Sequence, residues 1–97
     1  NGKGVSEDDV EAVKWFHLAA EQGNAGTQYY LGVMYANGYG VPEDKVYAYM
    51  WSNLAASQGH PDARSFKAMV AGRMSQSAIE EAQRLSRECV ARDYKDC

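Results

Sequence analysis

The 97-residue sequence is poor in three features, and each shortage excludes a class of protein. No apolar run approaches the ~20 residues that a membrane-spanning helix requires. The basic residues are scattered apart from Arg84, Arg87 and Arg92, and a net charge of −3 gives no basic surface for DNA or RNA. Cysteine occurs only at Cys89 and Cys97, too few for a four-ligand metal site. We therefore expect no membrane insertion, nucleic-acid partner, metal or cofactor.

The remaining composition is that of a folded domain. Hydrophobic residues make up 45% of the sequence and charged residues 24%, which argues against disorder. A chain of this length holds one domain at most. We treat residues 1–97 as that single domain.

An internal repeat emerges when the sequence is shifted by 36 residues. Trp15 then falls on Trp51, and the flanking turn glycines also coincide. Such agreement over residues 2–25 does not arise by chance. The identical positions in the first copy are Gly2, Gly4, Val5, Glu7, Asp8, Val10, Ala12, Trp15, Leu18, Ala19, Ala20, Gln22 and Gly23.

Each copy carries a buried stripe at helical spacing. The stripes are Ala12, Trp15, Phe16, Ala19 and Ala20 in the first copy, and Ala48, Trp51, Ser52, Ala55 and Ala56 in the second. Asp8 and Asp44 suit the helix starts, whereas Gly23 and Gly59 suit left-handed caps at the ends. Ligand platforms are an alternative role for the two tryptophans, but their place in the stripe favours core filling.

A further helix is predicted over Ala25–Asn37, followed by a glycine loop at 38–40. After Pro61 the pattern loosens into a helix and then a third stripe, whose helix starts at Ser75, or at Ser77 with Glu80 as a capping box. The sequence thus predicts a half repeat at 2–24, a full repeat at 25–60 and a degenerate repeat or cap at 61–97. About five helices in an all-α solenoid are expected.

The loop glycines, tryptophan and paired alanines resemble the Sel-one-like repeat (SLR) family, a relative of the tetratricopeptide repeat. The residues that carry the resemblance are Leu31, Gly32, Tyr35, Gly40, Val41, Asp44, Ala48, Trp51, Ala55, Ala56 and Gly59. The resemblance implies an α/α superhelix of antiparallel helix pairs whose first helices line a concave face. It also implies a non-catalytic adaptor that binds a protein or peptide, as in many bacterial members.

By analogy with such repeats, the binding face is expected to combine two helices. Its candidate residues are Tyr29, Val33, Ala36, Asn37, Ser65, Met69 and Arg73. Aromatic, amide and guanidinium groups on a rigid wall suit the binding of an extended peptide or a partner's helix. The alternative is an inert polar face with scattered apolar residues.

The two cysteines leave a disulfide or two free thiols open. A continuous helix would separate their Cα atoms by ~12 Å, so a bond requires the helix to stop near Asp93 and the chain to turn back. A similar gap in cysteine-rich secreted members favours the bond, and with it a periplasmic or secreted location. Those members also suggest an alternative function in binding cell-wall or β-lactam compounds.

The predicted first half repeat begins inside a repeat unit, without the helix expected to pack on Trp15. We therefore expect a fragment of a longer protein. We also expect self-association through this open half repeat as a further role.

Overall fold

The structure is a computed structural model that describes residues 7–97, which form five α-helices and no strand. The predicted first glycine loop, with Gly2 and Gly4, lies outside these residues. The helices are α1 (Glu7–Ala20), α2 (Ala25–Asn37), α3 (Lys45–Ser57), α4 (Pro61–Ala71) and α5 (Gln76–Ala91). The all-α prediction is confirmed.

Polar side chains fix the start of each helix from α2 onward. Asn24, Asp44 and Ser75 accept hydrogen bonds from backbone N–H groups three residues later, at 2.8, 3.1 and 3.1 Å. His60 does the same for α4 through Nδ1, at 3.2 Å, with Pro61 at the first helical position. These bonds satisfy N–H groups that have no partner inside the helix. Between the two predicted starts of α5, the structure selects Ser75.

Neighbouring helices pack in chain order from α1 to α4, and α5 packs mainly against α3. The α2–α3 pair approaches most closely at Gly32, where a Cβ would lie 3.1 Å from the carbonyl oxygen of Ala48 and would collide with the hydroxyl of Ser52. Ser52 itself donates to the Ala48 carbonyl at 2.7 Å, so its buried hydroxyl is satisfied. The absence of a side chain at residue 32 therefore lets the two helices pack in contact.

The loop between α2 and α3 depends on two glycines in the left-handed region. Gly38 (φ +72°) ends α2, and Gly40 (φ +77°) lies against the start of α1. A Cβ on Gly40 would be 2.5 Å from the backbone oxygen of Asp9. The loop glycines thus serve turn geometry and close backbone contact.

The second predicted stripe forms the centre of the core. Ala48, Trp51, Ser52 and Ala55 are all fully buried, and Leu54 is almost so. Trp51 packs with Val13, Leu31 and the sulfur of Cys89 in one cluster that joins four helices. Burial of one aromatic side chain of this size contributes about 3 kcal/mol or more.

The first stripe behaves differently, and the prediction that Trp15 fills the core is wrong. Trp15 is 63% exposed and Leu18 is 55% exposed, whereas Ala20 is buried. The helical spacing is present, but no described helix covers the outer side of α1. The buried side of α1 instead carries Val13 and Ala20, with Phe16 packed partly against the core, so the predicted stripe is only partly correct.

The C-terminal segment turns back on α5 as the cysteine spacing required. The helix ends at Ala91, and Asp93, Tyr94 and Asp96 all adopt positive φ. This reversal brings Cys97 to Cys89 in a disulfide with a Cα–Cα distance of 5.7 Å. The Tyr94 ring then lies beside Gly23, where a Cβ would be 3.5 Å from the ring, and Lys95 Nζ donates to the carbonyl of Glu21 at 2.8 Å.

Candidate functional site

Helices α2 and α4 meet at an aromatic cluster centred on Tyr29. The Tyr29 ring stacks on His60, with centroids 4.8 Å apart, and meets Phe66 edge-on at 5.9 Å. Because Nδ1 of His60 caps α4, the imidazole is fixed in place beneath the tyrosine. We call the surface that α2 and α4 form together the α2–α4 face.

Two adjoining hollows lie on the α2–α4 face. The first has a volume of about 300 Å³ and is lined by Tyr29, Asp62, Ser65, Phe66 and Met69. The second, of about 100 Å³, is lined by Ala36, Asn37, Glu43, Lys45, Phe66, Met69, Val70 and Arg73. Phe66 and Met69 line both hollows, and Met69 is 50% exposed. An apolar ridge therefore separates two shallow sites.

The ends of the α2–α4 face differ in charge. Asp62, in the first turn of α4, borders the first hollow, and Arg73, two residues after α4 ends, borders the second. Within residues 7–97, the Arg73 guanidinium has no ion pair or side-chain hydrogen bond. Beside it, Lys45 pairs with Glu43 at 3.3 Å. The arrangement offers an acidic end, an apolar middle and a free cation.

The sequence pattern of the Sel1 repeat matches residues 1–24 and residues 25–60. The chain belongs to the Sel1 repeat family. Sel1 repeats are in general protein-interaction modules and typically act as non-catalytic scaffolds. No curated protein matches this chain at a significant level.

Among solved structures, this Sel1 repeat chain is similar to c5321, described as a protective antigen present in uropathogenic Escherichia coli strains and displaying an SLR fold. The TM-score is 0.83 and the identity 28%. The match covers 96% of this chain but only 21% of that protein. The match confirms the solenoid fold expected from the sequence resemblance.

The structure brings together six of the seven residues predicted for the Sel1 binding face. Tyr29, Ser65 and Met69 line the first hollow, and Ala36, Asn37, Met69 and Arg73 line the second. Val33 lines neither hollow. Its backbone carbonyl instead accepts a hydrogen bond from Asn37 Nδ2 at 2.9 Å, so the asparagine amide partly serves its own helix. Whether these residues bind a partner stays a prediction.

Sequence reasoning missed the residues that give the face its shape. Phe66 is half-buried between the hollows, and His60 supports Tyr29 from a loop. The binding residues predicted after Pro61 were Ser65, Met69 and Arg73, which are spaced four residues apart. Adding the step of three from Phe66 to Met69 would have found the phenylalanine. No local pattern would have paired His60 with Tyr29.

The two cysteines and His17 are engaged in contacts inside this Sel1 chain. Cys89 and Cys97 are bonded to each other. His17 is half-buried, with Nε2 3.3 Å from the Tyr35 hydroxyl and its ring edge-on to Trp51. Burial lowers the pKa of His17, which Glu21 opposes, and burial raises the pKa of Tyr35.

Two further observations concern the described part of the chain only. No helix there is long and apolar enough to cross a membrane. No three His, Cys, Asp or Glu side chains among residues 7–97 lie close enough to hold a metal ion.

Proposed function

We propose that this chain is an adaptor module that binds an extended segment of a partner protein across the α2–α4 face. The observation that carries the proposal is the pair of hollows joined by Phe66 and Met69. Their aromatic and thioether side chains form an apolar strip on a rigid helical base, which suits recognition of apolar side chains. The Sel1 family membership supports a protein as the partner.

The charge distribution supports an orientation for the bound segment. Arg73 lies free at one end of the face and Asp62 lies at the other. A partner with apolar residues in the middle, an acidic residue towards Arg73 and a basic residue towards Asp62 would match both ends. Such complementarity fixes register more than it adds affinity.

A peptide-display library selected on the 97-residue chain tests the proposal. Met69→Glu is expected to lower the affinity of selected peptides at least about tenfold. The bound peptide would have to cover a carboxylate where the apolar ridge separates the two hollows. Leu18→Glu is the matched control, since Leu18 is also an exposed apolar residue (55%) but lies on α1. Peptides that are insensitive to Met69→Glu, or a library without binders, would overturn it.

Self-association is a second candidate, and the outer side of α1 favours it. Trp15, Leu18 and Tyr30 are each more than half exposed, whereas the repeat equivalents of the first two, Trp51 and Leu54, are buried. A second copy of the chain is the proposed cover for this apolar surface. Sedimentation over a range of concentrations is expected to show dimers that Trp15→Lys abolishes. A monomer at every concentration would exclude this role.

The alternative of a cell-wall or β-lactam-binding protein stays a prediction from the resemblance. The two cysteines on which it rests are bonded to each other. Calorimetric titration of the oxidised chain with a β-lactam and with a peptidoglycan fragment tests binding, and a hydrolysis assay tests turnover. Heat of binding with either compound would favour this alternative, and its absence with both would remove it.

A further inference from the structure

A second groove lies away from the α2–α4 face, between α3 and α5. Its volume is about 430 Å³. It lies where α5 packs against α3. Leu54 and Val90 are the apolar residues that line it. The full lining is Asn53, Leu54, Ser57, Gln83, Ser86, Arg87 and Val90.

Several polar side chains of this α3–α5 groove already form hydrogen bonds inside the protein. Asn53 Oδ1 accepts a hydrogen bond from Lys67 Nζ at 3.1 Å, and the hydroxyls of Ser57 and Ser86 donate to carbonyls of their own helices. Gln83 Nε2 lies within 3.3 Å of the Tyr49 hydroxyl. Several polar groups of the groove are therefore already paired inside the protein.

Donors, in contrast, remain free. In the described part of the chain, the Arg87 guanidinium has neither an ion pair nor a side-chain hydrogen bond, and the Nδ2 group of Asn53 has no acceptor. The nearby carboxylates of Glu81 and Glu88 are held by Arg84 on another side of α5. None of the seven lining residues is acidic, and Lys67 adds a second cation at the Asn53 edge.

A ligand that fits must supply oxygen acceptors next to an apolar group. We propose that the α3–α5 groove binds an acidic peptide segment of a partner protein. An apolar side chain of the segment lies on Leu54 and Val90, and a carboxylate pairs with Arg87. A guanidinium can bind a carboxylate through two parallel hydrogen bonds, which gives the site direction as well as affinity.

The groove is separate from the face of the proposed function, so the two sites can be tested independently. Arg64 on α4 lines neither the groove nor the two hollows, so Arg64→Gln is the matched control for Arg87→Gln, with the same change in charge and size. Both arginines are exposed, so neither substitution is expected to unfold the chain. Circular dichroism confirms the fold of each variant before binding is measured.

The probe is a synthetic peptide of alternating Glu pairs and Leu pairs, about ten residues long and blocked at both ends. Its counterpart carries Lys in place of Glu. In NMR titrations of the oxidised chain, the acidic peptide is expected to shift the Leu54 and Val90 methyl signals and the Asn53 side-chain amide. Arg87→Gln should weaken its binding about fivefold or more, and Arg64→Gln should leave it within about twofold.

Three results would overturn the groove proposal. They are no shift at Leu54 or Val90 at millimolar peptide, equal binding of the lysine peptide, and weakening by Arg64→Gln but not by Arg87→Gln. The last result would leave the proposed function of the α2–α4 face intact. Conversely, selected peptides that are insensitive to Met69→Glu, together with an acidic peptide that binds the groove as expected, would overturn the proposed function and leave the groove proposal intact. Failure of one proposal is therefore distinguishable from failure of the other.

Discussion

Trp15 and Trp51 occupy the same position in two copies of the repeat, yet Trp51 is fully buried and Trp15 is 63% exposed. The difference lies in what covers each residue. Helix α1 lies over Trp51, where the His17 ring meets the indole edge-on at 5.6 Å. The outer side of α1 carries Trp15 and has no described helix against it. Identical residues in a solenoid thus have different energetic roles according to their neighbours.

The first prediction follows from this contrast. Trp51→Ala should lower the free energy of unfolding by about 3–5 kcal/mol, because it leaves a cavity in the cluster that joins four helices. Trp15→Ala should change it by less than about 0.5 kcal/mol. Urea unfolding of dilute protein, followed by circular dichroism, measures both. Equal losses for the two variants would show that Trp15 is covered in solution.

The second prediction separates backbone strain from steric collision at two glycines. Gly59→Ala should cost about 1–2 kcal/mol, since φ is +94° and no atom lies near its missing Cβ. Gly40→Ala should cost clearly more, because its Cβ would also collide with the backbone of Asp9. Thermal unfolding of both variants makes the comparison. If Gly40→Ala is the milder change, the α2–α3 loop does not contact α1 as described.

The third prediction concerns the C-terminal disulfide. The bond closes a short loop with a sequence separation of 8, so its reduction should lower the free energy of unfolding by about 2 kcal/mol. Release of this loop should also free Tyr94 from Gly23 and increase amide exchange at residues 92–96. Urea midpoints with and without reductant test the first effect, with Cys97→Ser as the control that must lose its response to reductant.

An unchanged midpoint on reduction would mean that the loop is held by packing alone.

Disulfides persist mainly in oxidising compartments. The periplasmic or secreted location expected from the cysteine spacing therefore stays a prediction, which the thiol state of the protein in its native cells can test.

The fourth prediction is a loss of stability on acidification that depends on His17. Burial holds the pKa of His17 below its ordinary 6.5, and the nearby Glu21 carboxylate offsets only part of this effect. The unfolded chain therefore binds this proton more readily than the folded chain. The contribution of neutral, half-buried His17 to the free energy of unfolding is therefore complete above about pH 7.5. It is lost as the pH falls through 6.5 towards the lower pKa of His17 in the folded chain.

His17→Gln removes this titration while keeping a polar group near Tyr35. The decrease in melting temperature between about pH 7.5 and about pH 5 should be smaller in this variant than in the parent chain. An NMR titration of the His17 ring reports the folded pKa directly. A ring that titrates above 6.5 would contradict the burial of this histidine.

Local sequence signals predicted most of the fold. The Asp44 and Ser75 caps, the glycines after α1 and α3, and the bounds of α2 follow from hydrogen-bonding and φ preferences of single residues. The 36-residue period then identified which helices are equivalent. These features were predictable because each depends on residues a few positions apart.

Features that depend on distant neighbours were not predictable. The contact between His60 and Tyr29 depends on the relative position of α2 and α4. The α3–α5 groove arises because α5 packs against α3, which no periodicity in α5 specifies. Helical spacing placed Tyr29 and Met69 on one side of their helices, but it did not predict the hollows between them.

Binding of a partner peptide by the α2–α4 face is tested most directly by an NMR titration. The ¹³C-methyl and ¹⁵N-labelled oxidised chain is titrated with a peptide selected on it. We predict the largest shifts at the Met69 methyl, the Phe66 and Tyr29 amides and the Arg73 side chain, with little change along α5. Shifts confined to α5, or to the outer side of α1 around Trp15, would contradict the claim.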